Sequence, residues 1–483
     1  MFLIGLAACS RPVDVDPLAA TAAAPPQPAI SSEFVSPSPD PTLAAPRPSS
    51  EPYVVQSGDT LSGIAYEYAT TVEAIARANG IEDGVTIDVG QVLSVPVDAL
   101  TVTGPAMKIA PDGEVVYGPG SVGFDVQDFV SRTNGYLRSY TEGVEGQVLT
   151  GAQIVQLVAE RYSVGPRILL ALLEYRGGWL SNPYPDAAAL YYPAGHANER
   201  WSGLYKQLMW AADHLNDGYY GWKTRGRQTI LLSDFTRVRM APGVNAGTLA
   251  LHVLLAIDST PGEWLMDAGP DGFVATYRAW FGDPFARAVE PLVPLSVSQP
   301  ALSLPWPVGE TWYFTGGPHG ALASGSAWGA LDFVPPDGGL GCYSSDGWVT
   351  SMSDGLVVRS RMGEVVVDLD GDGNEQTGWV ILYMHIEERD RVAQGAQLRA
   401  GDRIGHPSCE GGFSTATHVH IARRYNGEWI AAGGALPFVV GGWTALGTER
   451  EYGGALQRGG VSRAACECRD DALNGIAHER ETP

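Results

Sequence analysis

The chain has 483 residues, of which 45% are hydrophobic, with 13 Trp and a formal net charge of -23. It is too long for a single core, so about three domains are expected. The acidic balance excludes binding nucleic acid by phosphate neutralisation and disfavours an anionic membrane surface.

The chain opens on "MFLIGLAACS", an apolar run too short to span a bilayer. Leu6-Ala7-Ala8-Cys9 resembles a bacterial lipobox, although the basic n-region is missing. The resemblance implies that residues 1–9 are a signal remnant, that Cys9 is lipidated, and that the protein is an exported, surface- or wall-associated lipoprotein touching membrane only through that anchor. Residues 10–51 are Pro-, Ala- and Ser-rich with few large apolar groups, which predicts a disordered tether.

From Tyr53 the pattern reads strand, turn, helix, helix, strand. Thr70 and Glu73 predict a capping box opening the second helix, and Asn79-Gly80 its end. Residues 52–97 resemble a LysM module in the Gly58-Asp59-Thr60-Leu61 turn, in Ala76 through Asn79 and in Gly90-Gln91. That resemblance implies a small βααβ fold that binds N-acetylglucosamine glycans between two loops, through Gly58, Asp59, Thr60, Asn79, Gly80 and Ile81.

After an expected linker at 98–121, residues 122–290 show apolar positions at helical spacing in "TGAQIVQLVAERY", "GLYKQLMWAADHL" and "NAGTLALHVLLA", a mainly α domain. Pro166 suits the first turn of "PRILLALLEYRGGW", a helix apolar nearly all round that ends in Glu174. A carboxylate at a helix C-terminus opposes the macrodipole, as a general acid for glycoside cleavage requires. The pattern resembles the lysozyme and lytic transglycosylase superfamily, with Tyr175 where a Ser is usual, and the resemblance makes Glu174 a possible general acid.

A joint at 291–300 leads to residues 301–445, where short Val-, Ile- and Tyr-rich runs alternate with Gly-rich turns, an antiparallel β domain; 446–483 are expected to form a C-terminal tail. Five of the nine histidines fall in the β domain. On a strand, His418 and His420 share one face, and a catalytic zinc takes three protein ligands and keeps one position open. Asp332, inside the apolar run Ala330-Leu331-Asp332-Phe333, needs a partner. Together these motifs resemble the lysostaphin-type, LytM-like peptidoglycan metallopeptidases, in particular their β-lytic and staphylolytic branch. The resemblance implies zinc held by His319, Asp332 and His420, with His385 and His418 as catalytic residues. Trp328 stands where most members have a histidine four residues before the aspartate. His406, in a Pro-containing turn, is read as non-catalytic.

With Cys9 lipidated, four cysteines remain, which suits disulfides in an exported protein. Cys342 with Cys409 is the preferred pair, and the partners of Cys466 and Cys468 are open. Asp368, Asp370 and Asp372 resemble the start of a calcium loop, but Trp379 occupies its twelfth position, so calcium and a solvated hairpin tip are both open. The whole reads as a monomeric peptidoglycan hydrolase, a zinc endopeptidase targeted to its polymer by LysM. The alternatives are a non-enzymatic wall-binding lipoprotein that activates other hydrolases, or added glycan cleavage through Glu174.

Overall fold

A computed structural model describes residues 50–479, apart from 56–58, 69, 82–86, 97–100, 242 and 449. All of them fall in one compact unit, Pro37–Pro483. Cys9, the tether up to residue 49 and Gly58 lie outside the described residues.

In the N-terminal module, strands Ser50–Val54 and Val92–Pro96 pair antiparallel, with helices Leu61–Glu67 and Val72–Asn79 between them. Its core is Val55, Ile64, Ala65, Ile75, Leu93 and Val95. The second helix is capped by Thr71, whose side chain accepts from the Ala74 N–H, and not by the expected Thr70. Of two adjacent threonines, the one with extended backbone just before the first helical residue can reach that donor. Gly80, in the left-handed region, ends the helix. Asn79 takes a structural place: its amide donates to the Ile75 and Ser94 carbonyls and accepts from the Ser94 N–H, tying helix to strand.

The helical domain begins inside the segment expected as a linker. Thr101–Thr103 pairs in parallel with Arg237–Arg239, and Asp112 and Glu114 are buried. The hairpin Thr141–Val144 and Gln147–Thr150 leads into the helix Gly151–Tyr162, opened by a Thr150/Gln153 capping box. The helices Pro166–Gly177, Leu204–Arg225 and Ala246–Ala256 follow, the last buried along its whole length.

The third region is a nine-stranded antiparallel sheet. Its order runs Gln397–Leu398, Gly355–Arg361, Glu364–Asp368, Trp379–Met384, Val419–Tyr425, Trp328–Val334, Thr311–Gly320, Gly475–Ala477, with Glu428–Trp429 pairing beside Val419–Tyr425. Residues 446–479 are therefore no tail: Gly475–Ala477 closes the sheet edge, and 455–464 form a hairpin in a second small sheet. Alternation along the strands separates two cores. Val365, Val367, Ile381, Tyr383 and Ile421 pack into the peptidase's own core around stacked Trp306 and Trp312. Val366, Val380, Leu382, Met384 and Ala422 share a core with the helical domain. That junction is sealed by buried ions. Arg161 reaches Glu364 at 2.8 Å, Arg359 reaches Glu375 at 3.1 Å, and Arg424 donates to Glu375 at 2.5 Å and to Ser163 at 3.2 Å.

Candidate metal centre

The sheet register brings the site together. His420 stands directly opposite Asp332 on the neighbouring strand, and His319 lies opposite Ala330 one strand further on. His319 Nε2 is 2.9 Å from Asp332 Oδ2, and His420 Nδ1 is 3.2 Å from Asp332 Oδ1. His319 thus reaches the carboxylate without help from position 328. One ligand atom from each of His319, Asp332 and His420 lies within 4.8 Å of the others, and all three residues are buried. Two of these atoms, His319 Nε2 and Asp332 Oδ1, are buried without a hydrogen-bond partner. Buried lone pairs left unspent are costly. Two imidazole nitrogens and one carboxylate oxygen are the donor set of a catalytic zinc, so the residues present fit that ion. Burial pushes the Asp332 carboxyl up, but the charges of His319 and His418 outweigh it and hold the group well below the usual carboxylate range.

Backbone carbonyls fix the imidazole tautomers. His420 Nε2 bonds to Ala321 O at 2.9 Å, His385 Nδ1 to Glu410 O at 2.9 Å and His418 Nδ1 to Ala416 O at 2.8 Å. A carbonyl only accepts, so each of these nitrogens carries the hydrogen. In the neutral form of each ring the lone pair is then on Nδ1 of His420, facing Asp332, and on Nε2 of His385 and His418. His418 Nε2 lies 3.6 Å from Asp332 Oδ1, and the His385 and His418 rings are 4.5 Å apart. Burial, and then the neighbouring His418 and His420, push His385 down to about 3, so its ring is neutral.

His385 follows Met384, and simple alternation would send its side chain through the sheet to the opposite face. Its φ of 64° puts it in the left-handed region instead, which breaks the alternation and returns the imidazole to the metal face. The Cys342–Cys409 disulfide, with Cα atoms 5.8 Å apart, supports this corner. Beside it, Ser408 N donates to His385 O at 2.7 Å and His418 N donates to Ser408 O at 3.3 Å.

The other expected site residues lie apart from this group. His406 bonds Gly347 O and packs on Trp348. Glu174 stands three residues before the end of its helix, and its oxygens accept from Leu180 N, Ser181 N and Ser181 Oγ at 2.9, 3.1 and 2.7 Å. Its lone pairs are committed to the turn that follows the helix, which argues against the expected general acid. Asp368, Asp370 and Asp372 gather their carboxylates, but these accept backbone N–H groups of their own loop, at 2.9 Å from Gly373 to Asp368. Cys466 and Cys468 bond to one another. In the LysM-like module, Asp59 accepts from the Tyr53 hydroxyl at 2.7 Å, and Thr60 accepts from Gly63 N at 3.0 Å.

Sequence reasoning missed Tyr452, which stacks on His319 at 4.2 Å from the region expected as a tail. It also missed the three carbonyls that orient the imidazoles. Any residue can supply a carbonyl, so no side-chain pattern marks them.

A buried His–Asp–His donor set on adjacent antiparallel strands, flanked by two further imidazoles held at Nδ1 by backbone carbonyls, defines a zinc metallopeptidase centre. Comparison with known proteins narrows the class. Residues 53–96 match the LysM domain, and residues 108–294, which take in the helical region expected at 122–290, match the LasA N-terminal domain. Protease LasA of Pseudomonas aeruginosa strain UCBPP-PA14 is 25% identical over 353 residues, 68% of this chain and 77% of that protein. Protease LasA of strain PAO1 is 26% identical over 345 residues, 67% and 75% of the two chains. Among solved structures, the M23 metalloprotease pseudoalterin from the deep sea matches with a TM-score of 0.29 at 23% identity, over 35% of this chain and 96% of that one. The chain is a LasA-like, lysostaphin-type (M23) metallopeptidase with a LysM domain and a LasA N-terminal helical domain.

Proposed function

We propose that this protein is a peptidoglycan hydrolase: an endopeptidase that cuts peptide bonds of the bacterial wall, held to its polymer by the LysM domain. One observation carries the reaction. Three buried donors converge, and His385 and His418, each held at Nδ1 by a backbone carbonyl, present their Nε2 atoms beside them. In this reading His319, Asp332 and His420 hold zinc, which when bound supplies a Lewis acid for the peptide carbonyl and for water. The protein's own part is proton transfer. An Nε2 of His385 or His418 accepts the proton of the attacking water, and the imidazolium returns it to the departing amine. Their Nδ1–H groups stay bonded to carbonyls throughout, so each ring exchanges its proton at one atom only.

The wall as substrate is supported by the LysM domain, a type of module that binds N-acetylglucosamine glycans, with contacts in the two loops at Gly58–Thr60 and Asn79–Ile81. An exported location, with Cys9 as lipid anchor, belongs to the same reading. The disulfides support export, and among the described residues no helix is long and apolar enough to cross a membrane. The test is zinc content together with new amino termini released from purified peptidoglycan. About one zinc per chain and chelator-sensitive release are expected for a catalytic site of this kind. A chain that sediments with the wall but holds no zinc and releases no amino termini would be a binding scaffold.

A further inference from the structure

The two disulfides are of opposite kinds. Cys342–Cys409 closes a loop across 67 positions, whereas Cys466 and Cys468 stand 2 positions apart. A bridge stabilises mainly through the chain entropy it removes from the unfolded state, which grows with loop length. On that account the long bridge resists opening more than the short one by about 10²-fold in the equilibrium constant. As a staple the short bridge contributes little.

The backbone beside it is held without the sulfurs. Cys466 N donates to Phe314 O at 3.3 Å, and Ala465 N donates to Gly454 O at 2.9 Å. The fully buried Asn474 amide donates to the carbonyls of Phe314, Cys466 and Cys468 at 3.0, 3.1 and 2.8 Å. One side chain thus clamps both cysteines to the sheet. When the S–S bond opens, the thiols stay side by side, and closure keeps the high effective concentration of an intramolecular reaction. Two states on one backbone are what a reversible redox pair requires.

The pair is also reachable. Both cysteines are half-buried, and Cys468, with Glu467 and Arg469, lines the cavity of about 1130 Å³ into which His319, Asp332 and His420 open. Cys342 is the more exposed, so exposure alone would open the other bridge first. The charge around Cys468 is mainly negative. Arg469 donates to Gly339 O and the Tyr343 hydroxyl, while Glu467, Asp470 and Asp471 flank Cys468 on a chain of net charge -23. A field of this sign repels an anionic thiol and admits an uncharged or cationic one.

We propose that Cys466–Cys468 is a thiol–disulfide exchange site on the rim of the metal cavity, which takes a small uncharged or cationic thiol at Cys468. The entering thiolate attacks Cys468 Sγ and forms a new S–S bond there, and the electron pair of the old bond leaves with Cys466, which takes up the proton the thiol released. One disulfide is broken and one is made, so no oxidant is consumed. In the reverse step the Cys466 thiolate attacks Cys468 Sγ, expels the small thiolate and restores the bridge. With a dithiol, the second sulfur attacks the first and leaves as a cyclic disulfide, and two electrons remain on Cys466 and Cys468.

The test uses the full, zinc-loaded chain titrated with cysteamine, with free thiols trapped by alkylation and located by peptide mapping. Cys466 and Cys468 should be labelled at about 10²-fold lower cysteamine than Cys342 and Cys409, with zinc content kept and the melting temperature hardly moved. 3-Mercaptopropionate, of similar size but anionic, should open the pair more slowly at low salt, and the gap should close as salt rises. Equal rates for the two thiols at low salt would overturn the charge selection. Opening of Cys342–Cys409 first, or together with the short bridge, overturns the exchange site. So does loss of zinc or collapse of the melt when the short bridge opens, because it would then be a staple. Single variants identify the sulfur attacked. With cystamine, Cys466→Ser should form the mixed disulfide at Cys468 faster than Cys468→Ser forms one at Cys466; equal or reversed rates overturn the assignment to Cys468.

Discussion

Asp332 and Glu174 are both carboxylates that the sequence marks as chemical, one in an apolar strand and one in an apolar helix, yet the fold treats them in opposite ways. Glu174 spends its oxygens on three donors of the next turn, two of them backbone N–H groups. Asp332 faces three imidazoles, and its Oδ1 is left without a hydrogen-bond donor. A carboxylate whose lone pairs are filled by local donors is part of the scaffold. One whose lone pairs are buried and left open costs stability by itself, and the cost is understandable where a cation completes it.

The sharpest way to break this contrast is to remove the two groups separately. Asp332→Ala should lose zinc and peptidase activity together, as should His319→Ala and His420→Ala, read by metal analysis and release of amino termini. If Asp332→Ala keeps its zinc, the carboxylate is not a ligand and the comparison fails. Next in size, His385→Ala and His418→Ala should keep zinc while kcat falls by about 10²–10⁴, the range for loss of a positioned acid or base. Loss of metal in His418→Ala with retention in His420→Ala would reverse the roles of the pair.

A smaller effect should come from across the domain junction. Asp213, on the helix Leu204–Arg225, accepts from Gly325 N at 2.9 Å and from Ser324 Oγ at 3.2 Å. It so holds the loop that carries Ala321, whose carbonyl orients His420. A Cβ at Gly325 would lie 2.1 Å from the Asp213 carbonyl oxygen, which is how closely the two segments approach. Asp213→Ala should weaken zinc binding by about 10–100-fold, as loss of outer-shell support does elsewhere, measured by competition with a chelator. Unchanged affinity would show that the loop holds its place without the helix. The smallest effect belongs to the second carboxylate. Glu174→Gln should leave peptide cleavage unchanged and lower stability by about 1–3 kcal/mol, because charge-assisted acceptance from Leu180, Ser181 and the Ser181 hydroxyl is weakened. A loss of wall-degrading activity with no change in the melt would return Glu174 to chemistry.

What was legible in the sequence was local or periodic. Period-two alternation placed His418 and His420 on one face, because a strand repeats every two residues whatever surrounds it. Gly80 marked a helix end because the left-handed conformation there suits glycine. Asp332 stood out as a charge in an apolar run, which only a partner can make tolerable. The near misses were local competitions between neighbours: Thr71 won the cap from Thr70 because its side chain reaches the Ala74 N–H, and the Thr150/Gln153 box was passed over among other threonines.

The rest depended on contacts between residues far apart in the chain. Gly475–Ala477 reads as part of a tail until its partner, Thr311–Gly320, is in place across the sheet. Cys466 pairs with Cys468 because the chain turns back between them, which their spacing alone left open. The left-handed turn at His385 carries no sequence mark, since neither neighbour is glycine, and it is held by the backbone bonds of Ser408. The composition and alternation of the chain by themselves determined that it would build a small module, a helical domain and an antiparallel sheet, with its donors on one strand face. Only the tertiary structure decided which lone pairs stay unspent, which carbonyls orient the imidazoles, and that the metal face of the sheet is shared with the helical domain. Burial and lone-pair satisfaction are properties of the packed whole, and no window of sequence contains them.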